Sequence, residues 1–224
     1  MTRNCPVCRS DRLADFARVA GRSYLRCATC RATVLDPAFH LTPDQEKAQY
    51  DHHQNSPDDP RYRQFLSRLA DPLLARLEPG QSGLDYGCGP GPALAAMLRE
   101  AGHRMAIYDP FYAPDPAPLA QTHDFVTCTE VAEHFHQPAS EFARMMAMVR
   151  PGGWLAVMTS FQTDDAAFAN WHYRKDPTHV VFYREETLRY LAASHAWTCE
   201  IPTKDIALMQ RPSQPMPERP DDRD

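Results

Sequence analysis

Four cysteines near the start of the chain stand in two C-x2-C pairs. Each pair places two thiolates on one tight turn, and two such turns complete a tetrahedron around zinc. Four thiolates leave no open coordination position, so the predicted metal is structural. Residues 1–35 alone bury too little apolar surface to fold, and metal binding supplies the missing free energy. The predicted zinc ligands are Cys5, Cys8, Cys27 and Cys30.

A glycine-spaced turn is the second feature with chemical potential. The chain has only nine glycines, and three stand at positions 87, 89 and 91, after a predicted strand and before a predicted helix. Glycine permits positive φ and close approach of the backbone to a ligand, and the helix start offers N–H groups. Asp109 ends the next predicted strand, where doubly wound folds hold ribose hydroxyls. The loop has no lysine, which argues against a nucleoside-triphosphate site.

With these residues, the chain resembles the class I S-adenosylmethionine (SAM)-dependent methyltransferases over about residues 80–210. The matching segments are 84–91, 107–109, 124–126, 130–134 and 150–154. The resemblance implies SAM as cofactor, with Asp85 and the loop backbone at its methionine part and Asp109 at its ribose. The cofactor-binding residues that it implies are Asp85, Tyr86, Gly87, Cys88, Gly89, Gly91, Asp109, Pro110, Thr129 and Glu130.

One departure from that family concerns the stretch after Asp109. Only residues 110–123, with four prolines, precede the next predicted strand. The third strand of the family sheet is therefore expected to be reduced or absent.

Acidic and histidine residues after two predicted strands form a possible second metal site. If Glu130, Glu133 and His134 begin a helical turn, they share one face, and His179 follows a later strand above the same edge of the sheet. Such ligands suit Mg²⁺ or another divalent ion, which would lower the pKa of a substrate hydroxyl. The pattern resembles methyltransferases of small-RNA 2′-hydroxyls and of the ubiquinone pathway. Alternatively, the glutamates cap the turn without metal.

An aromatic segment, residues 161–183, forms a long connection before the last predicted helix. It could line a substrate pocket or serve only as a covering flap. The candidate catalytic residues of the chain are His134, His179 and Tyr173, with either histidine able to accept a proton.

Strands alternate with helices from residue 83 onward, which predicts an α/β fold: a doubly wound, mainly parallel Rossmann-like sheet with a reduced third strand, plus a small zinc ribbon. The predicted units are the zinc ribbon at 1–35, a connector with leading helices at 36–79, the SAM-binding domain at 80–210 and a disordered tail at 211–224.

Composition narrows the function classes. The sequence predicts a cytoplasmic protein without a signal peptide or a membrane span. The net charge is −5, although residues 1–35 carry seven arginines against two aspartates. The acidic body favours a small-molecule acceptor for O- or N-methylation, and the basic head leaves RNA or a ribosomal component open. A SAM-binding interaction protein without turnover is the third alternative.

Overall fold

The computed structural model describes residues 3–52 and 56–213. Its first unit is an antiparallel ribbon of three strands, β1 (Leu13–Val19), β2 (Arg22–Cys27) and β3 (Thr33–Leu35). β1 and β2 are joined by a two-residue turn at Ala20 and Gly21, both with positive φ. Such a turn matches the twist of a hairpin and fixes its register.

Two helices follow the ribbon, α1 (Pro43–Tyr50) and α2 (Pro60–Leu74). The Thr42 hydroxyl accepts a hydrogen bond from the Gln45 N–H, and the Gln45 side chain accepts one from the Thr42 N–H, so α1 begins with a capping box. The apolar residues of α2 recur at helical spacing, and the buried face they form comprises Leu66, Leu69, Ala70 and Leu73.

The second unit alternates strands and helices. Its elements are β4 (Ser82–Tyr86), α3 (Ala93–Glu100), β5 (Arg104–Tyr108), β6 (His123–Thr129), α4 (Pro138–Met148), β7 (Val149–Met158), β8 (Val181–Phe182), α5 (Glu185–Ser194), β9 (Thr198–Thr203) and β10 (Ile206–Gln210). Six of the strands form one sheet in the order β5-β4-β6-β7-β10-β9. β5, β4, β6 and β7 are parallel, and β10 runs antiparallel to both of its neighbours.

Apolar clusters on both faces of this sheet confirm the doubly wound arrangement. On one face, α2 and α3 pack against Phe125, Ile206 and Leu208. On the other face, Phe142 of α4 and Leu188 of α5 belong to the cluster that holds the opposite side chains of the strands. Helices on both faces explain why β4 and β6 are buried along most of their length rather than on alternate residues.

The third strand expected from the resemblance does not form. Residues 109–122, all of which the structure describes, contain only an isolated bridge between Asp109 and Ala113 and a short 3-10 helix, Ala117–Ala120. The prolines of this stretch remove backbone donors and fix φ, which disfavours a strand inside a sheet. The prediction of a reduced third strand is confirmed.

The ribbon sheet continues into the second unit. β8 pairs antiparallel with β3, with Thr33 opposite Phe182 and Val34 opposite Val181. The ribbon side chains Tyr24 and Leu25 lie in the same apolar cluster as the α4–α5 face of the large sheet. The two units therefore share one core.

The tail predicted to be disordered spans residues 211–224, of which the structure describes 211–213. Within it, Arg211 forms backbone hydrogen bonds with Gly152 and Gly153. Among the described residues, no helix combines the length and the apolar character that crossing a bilayer requires.

Candidate functional site

A cavity of about 810 Å³ opens at the carboxyl ends of the parallel strands. Ligands bind at this edge in open α/β sheets. α1, the turn after β6 and the segment 161–183 complete its walls. It brings together most of the residues predicted from sequence, namely Tyr86, Gly87, Cys88, Gly89, Asp109, Pro110, Thr129, Glu130, Glu133, His134, Tyr173 and His179.

The glycine turn forms one end of the cavity. Gly87 has a φ of +80°, and a Cβ atom there would lie 2.5 Å from Val131 Cγ2, so only glycine fits. The N–H groups of Gly87 and Cys88 donate to the Tyr108 carbonyl at 2.7 and 3.2 Å. Both N–H groups therefore form hydrogen bonds within the protein and are not free to bind a ligand. What glycine provides here is close approach of the backbone to the cavity.

Asp109 joins this turn to the end of β5. Its carboxylate accepts hydrogen bonds from the backbone N–H groups of Gly89 at 3.0 Å, Phe111 at 2.8 Å and Tyr112 at 3.0 Å. The side chain is buried and lines the cavity. Three N–H donors hold the carboxylate in one orientation at the cavity wall.

Two of the predicted cofactor residues lie behind the turn rather than on the cavity wall. Asp85 is buried and accepts a hydrogen bond from Thr127 Oγ1 at 2.8 Å, and burial raises its pKa to about 6. Gly91 is also buried, and its carbonyl accepts from the Ala93 N–H at 2.7 Å, at the start of α3. Both residues therefore support the glycine turn from the protein interior.

Tyr86 and Cys88 lie on the wall beside the turn. The Tyr86 hydroxyl donates to Glu141 and accepts from Arg144 Nη1 at 3.2 Å. Burial, followed by the hydrogen bond to Glu141, raises the pKa of Tyr86, so this phenol stays protonated. Burial also raises the pKa of the Cys88 thiol to about 12, so Cys88 is no nucleophile at neutral pH.

Thr129 and Glu130 end β6 at the middle of the cavity. Thr129 Oγ1 is one of the buried polar atoms of the described residues without a hydrogen-bond partner. Glu130 has a φ of +52°, a strained conformation for a residue with a side chain, and its N–H donates to the Met158 carbonyl at 2.8 Å. Burial, and then the charge of Glu133, raises the pKa of Glu130 to about 9.

The far end of the cavity holds Glu133, His134 and His179, whose ligand atoms lie within 4.8 Å of one another. His134 Nδ1 lies 3.2 Å from the Thr178 carbonyl and His179 Nδ1 lies 2.7 Å from the Tyr173 carbonyl. A carbonyl only accepts, so each Nδ1 carries a proton, and in the neutral imidazole Nε2 is the nitrogen that keeps a lone pair. Glu133 is fully buried, and its Oε1 has no hydrogen-bond partner among the described residues.

Glu130 does not join this group. Only Ala132–His134 form a 3-10 helix, and the left-handed Glu130 precedes it, so the three residues do not share a helical face as the sequence suggested. The structure therefore corrects the expected arrangement of Glu130 with Glu133 and His134.

The ring of Tyr173 lines the cavity, while its hydroxyl forms hydrogen bonds with residues of the protein. The hydroxyl lies 3.0 Å from Thr159 Oγ1, which donates to Glu133 Oε2 at 2.9 Å, and it accepts from the Ser160 N–H at 3.3 Å. Burial, followed by the charge of Glu133, raises the pKa of Tyr173. Its ring centroid lies 4.2 Å from that of His179, so the phenol ring packs against the imidazole.

Sequence reasoning missed the wall that α1 supplies. Glu46 is buried and lies 2.7 Å from His136 Nε2, and this hydrogen bond raises the pKa of His136. Tyr50 follows one turn later, with its ring centroid 5.3 Å from that of His134. The only available signal was the i, i+4 spacing of Glu46 and Tyr50, in a helix otherwise polar all round.

The four ribbon cysteines converge as predicted. The Sγ atoms of Cys5 and Cys30 lie 3.7 Å apart, those of Cys8 and Cys27 lie 3.6 Å apart, and all four lie within 4.8 Å of one another. A tetrahedral site with Zn–S bonds of about 2.3 Å separates its sulfurs by about 3.8 Å. A disulfide needs about 2.05 Å. The four thiols therefore fit a zinc ion and form no disulfide.

A family model for a methyltransferase domain matches residues 50–199. This match covers more than half of the sequence, and the chain belongs to the methyltransferase domain family. The mainly parallel sheet, with its glycine turn after β4 and the acid after β5, makes it a class I methyltransferase. No sequence among the curated proteins matches the chain.

The chain is similar to solved structures at low sequence identity. One is the 1,6-didemethyltoxoflavin-N1-methyltransferase of Burkholderia thailandensis, with 1,6-didemethyltoxoflavin and S-adenosylhomocysteine bound; it is 18% identical, with a TM-score of 0.53 over 89% of this chain and 99% of that chain. Another is the N-methyltransferase NodS of Bradyrhizobium japonicum with S-adenosylhomocysteine, 18% identical over 75% of this chain and 97% of that one, with a TM-score of 0.48.

Proposed function

We propose that this chain transfers a methyl group from SAM to an oxygen or nitrogen atom of a small-molecule acceptor. The observation that carries the proposal is one continuous cavity with two chemically different ends. The glycine turn and Asp109 lie at one end, and Glu133, His134 and His179 lie at the other. Such a cavity would let a cofactor and an acceptor bind side by side.

The first end suits the cofactor. Gly87 and Gly89 allow the methionine part of SAM to approach the backbone, and Asp109 offers its carboxylate to the ribose hydroxyls. Thr129 Oγ1, which has no partner, and the protonated Glu130 lie next along the wall. Bound SAM would supply an activated methyl group, while these side chains hold it facing the acceptor end.

The second end suits a small acceptor. The cavity volume falls in the range of about 300–1,000 Å³ typical of small-ligand sites. Tyr50, Phe135 and Tyr173 provide aromatic walls. When no metal ion is bound, His134 Nε2 can accept the proton that the acceptor atom loses. The similar Burkholderia enzyme holds a small molecule, 1,6-didemethyltoxoflavin, beside its S-adenosylhomocysteine. Holding the acceptor atom in line with the methyl group would supply much of the rate acceleration.

We further propose that Glu133, His134 and His179 hold a divalent cation such as Mg²⁺ or Mn²⁺. Backbone carbonyls fix both imidazole tautomers with Nε2 free, the arrangement that orients metal-bound histidines. The unpartnered Oε1 of Glu133 is the third donor. A cation there would supply a Lewis acid that lowers the pKa of an acceptor hydroxyl.

The ribbon cysteines Cys5, Cys8, Cys27 and Cys30 are proposed to hold one structural zinc. Their closed geometry leaves no position for a substrate.

Calorimetric titration of S-adenosylhomocysteine into the purified protein tests the cofactor site. Micromolar binding that Asp109→Ala weakens is the expected result, and absence of binding would remove the proposal. Binding without methyl transfer to any small molecule or RNA would favour a binding protein instead.

Titration of Mg²⁺ and Mn²⁺ into zinc-loaded protein tests the second metal separately. We expect one binding event that His179→Gln abolishes and Glu130→Gln leaves intact, because Glu130 lies outside the ligand group. Heat that persists in His179→Gln would show that these ions bind elsewhere.

A further inference from the structure

The ribbon contacts the segment 161–183 through its backbone. β3 pairs with β8, and the Leu35 N–H donates to the Val180 carbonyl at 2.8 Å. The Val180 N–H in turn donates to the Glu133 carbonyl at 2.9 Å. The ribbon edge is thus two hydrogen bonds away from a residue at the acceptor end of the cavity.

Tyr24 of the ribbon holds the middle of the segment. Its hydroxyl accepts from Arg174 Nη1 at 3.2 Å, and its ring centroid lies 5.0 Å from that of Phe168. Arg174 is buried, and its remaining donors reach the carbonyls of Phe168 at 3.2 Å and Ala169 at 2.9 Å. A buried guanidinium needs such partners to offset its desolvation. Tyr24 therefore completes a network that fixes the backbone at 168–174.

Arg26 binds the segment near its start, at Asp165, which also binds the residue that follows the segment. Its Nη2 donates to Asp165 Oδ1 at 2.7 Å, and Arg184, at the start of α5, donates to the same oxygen. The Arg26 guanidinium also lies 4.1 Å from the centre of the Phe16 ring. Arg26 and Arg184 are both buried, so this bridge is shielded from solvent on its cationic side.

The segment carries this constraint to the cavity. Tyr173 is the chain neighbour of Arg174, and its carbonyl accepts the Nδ1 proton of His179 at 2.7 Å. The position of that carbonyl decides where His179 Nε2 points. Among residues 3–52 and 56–213, no hydrogen bond links the ribbon to residues 87–91 of the glycine turn.

We propose that the ribbon is a clamp on the acceptor end of the cavity, in which Tyr24 and Arg26 are positioning residues that hold Tyr173 and His179 in place. That this end binds the acceptor rests on the function proposed above. The coupling between the ribbon and the positions of Tyr173 and His179 does not depend on that function. The cofactor end is independent of the clamp.

Hydrogen–deuterium exchange with mass spectrometry tests this coupling without any knowledge of the acceptor. The variants are Tyr24→Phe, which keeps the ring, and Arg26→Met, which removes the bridge to Asp165. Arg18→Met, at an exposed ribbon position, is the matched control. We expect amides at 173–181 to exchange about tenfold faster or more in both variants, the effect of losing one charge-assisted hydrogen bond.

Peptides from the glycine turn, residues 85–91, should keep their wild-type exchange, and the affinity for S-adenosylhomocysteine should change by less than about twofold. Cys30→Ser, which removes a ligand of the ribbon metal and none of the acceptor-end cation, should produce the same local pattern. Unchanged exchange at 173–181 in both variants would overturn the proposal. Equal acceleration at 85–91 would also overturn it, since that indicates general loosening rather than a clamp. If S-adenosylhomocysteine does not bind at all, the proposed function fails, and the exchange pattern still decides the clamp.

Discussion

The carboxylate of Asp109 accepts a hydrogen bond of 3.0 Å from the backbone N–H of Gly89. This contact ties the turn after β4 to the end of the neighbouring strand β5. The proposed ribose ligand is thus also a support of the proposed methionine-binding turn.

Asp109→Ala should therefore affect binding and stability together. We expect the affinity for S-adenosylhomocysteine to fall about tenfold or more, and the free energy of unfolding to fall by about 1–3 kcal/mol, because buried N–H groups lose their acceptor. Calorimetry and urea denaturation measure the two effects. Asp71→Ala, at an exposed position on α2, is the control. Wild-type affinity in Asp109→Ala would contradict the assigned cofactor position.

Gly87→Ala should destabilise the protein more than Gly21→Ala. Both glycines have a φ of +80°, but a Cβ atom meets Val131 only at Gly87 and finds open space at Gly21. The left-handed conformation alone costs about 1–2 kcal/mol, and overpacking raises the cost at Gly87 to about 2–4 kcal/mol. Urea denaturation of both variants gives the comparison. Equal losses would show that the turn can relax around Val131.

Glu130→Gln should change how stability depends on pH. The folded-state pKa of Glu130 is about 9, above its ordinary value of 4.5, because of burial and then Glu133. The neutral form is the one that the fold accepts, so this stabilising contribution is complete below pH 4.5 and is lost as pH rises toward 9. We expect the free energy of unfolding of the wild type to fall relative to Glu130→Gln across this range, without added divalent cations. Parallel pH profiles would refute the buried state of Glu130.

Cys30→Ser should remove the ribbon metal. Elemental analysis of the wild type is expected to give about one zinc per chain, and the variant should retain little and unfold more readily, since metal binding supplies folding free energy. Cys199→Ser changes a cysteine outside the cluster and should keep the metal. A metal-free wild type that is fully folded would contradict the zinc assignment.

Features that depend only on residues close together in the sequence could be predicted. The cysteine pairs, the glycine turn and Asp109 each follow from a few adjacent residues, and the prolines after Asp109 indicated the reduced third strand. The family match over residues 50–199 confirms the predicted methyltransferase class, and the binding roles of the glycine-turn residues stay predictions.

Long-range arrangement could not be predicted in the same way. The pairing of β3 with β8 joins residues about 150 positions apart in sequence, and a two-residue strand such as Val181–Phe182 leaves no period to detect. Glu46 reaches the cavity only because α1 packs over it. The left-handed backbone of Glu130, which separates it from Glu133 and His134, depends on the Met158 carbonyl of a neighbouring strand.

The most direct test of the central claim uses SAM carrying a labelled methyl group. The protein is incubated with a cell extract that has been separated into small molecules, RNA and protein. Label in a small-molecule product is predicted, with loss of the signal in Asp109→Ala and a strong reduction in His179→Gln. Label in RNA alone, or no transfer to any fraction by protein that binds S-adenosylhomocysteine, would contradict the account.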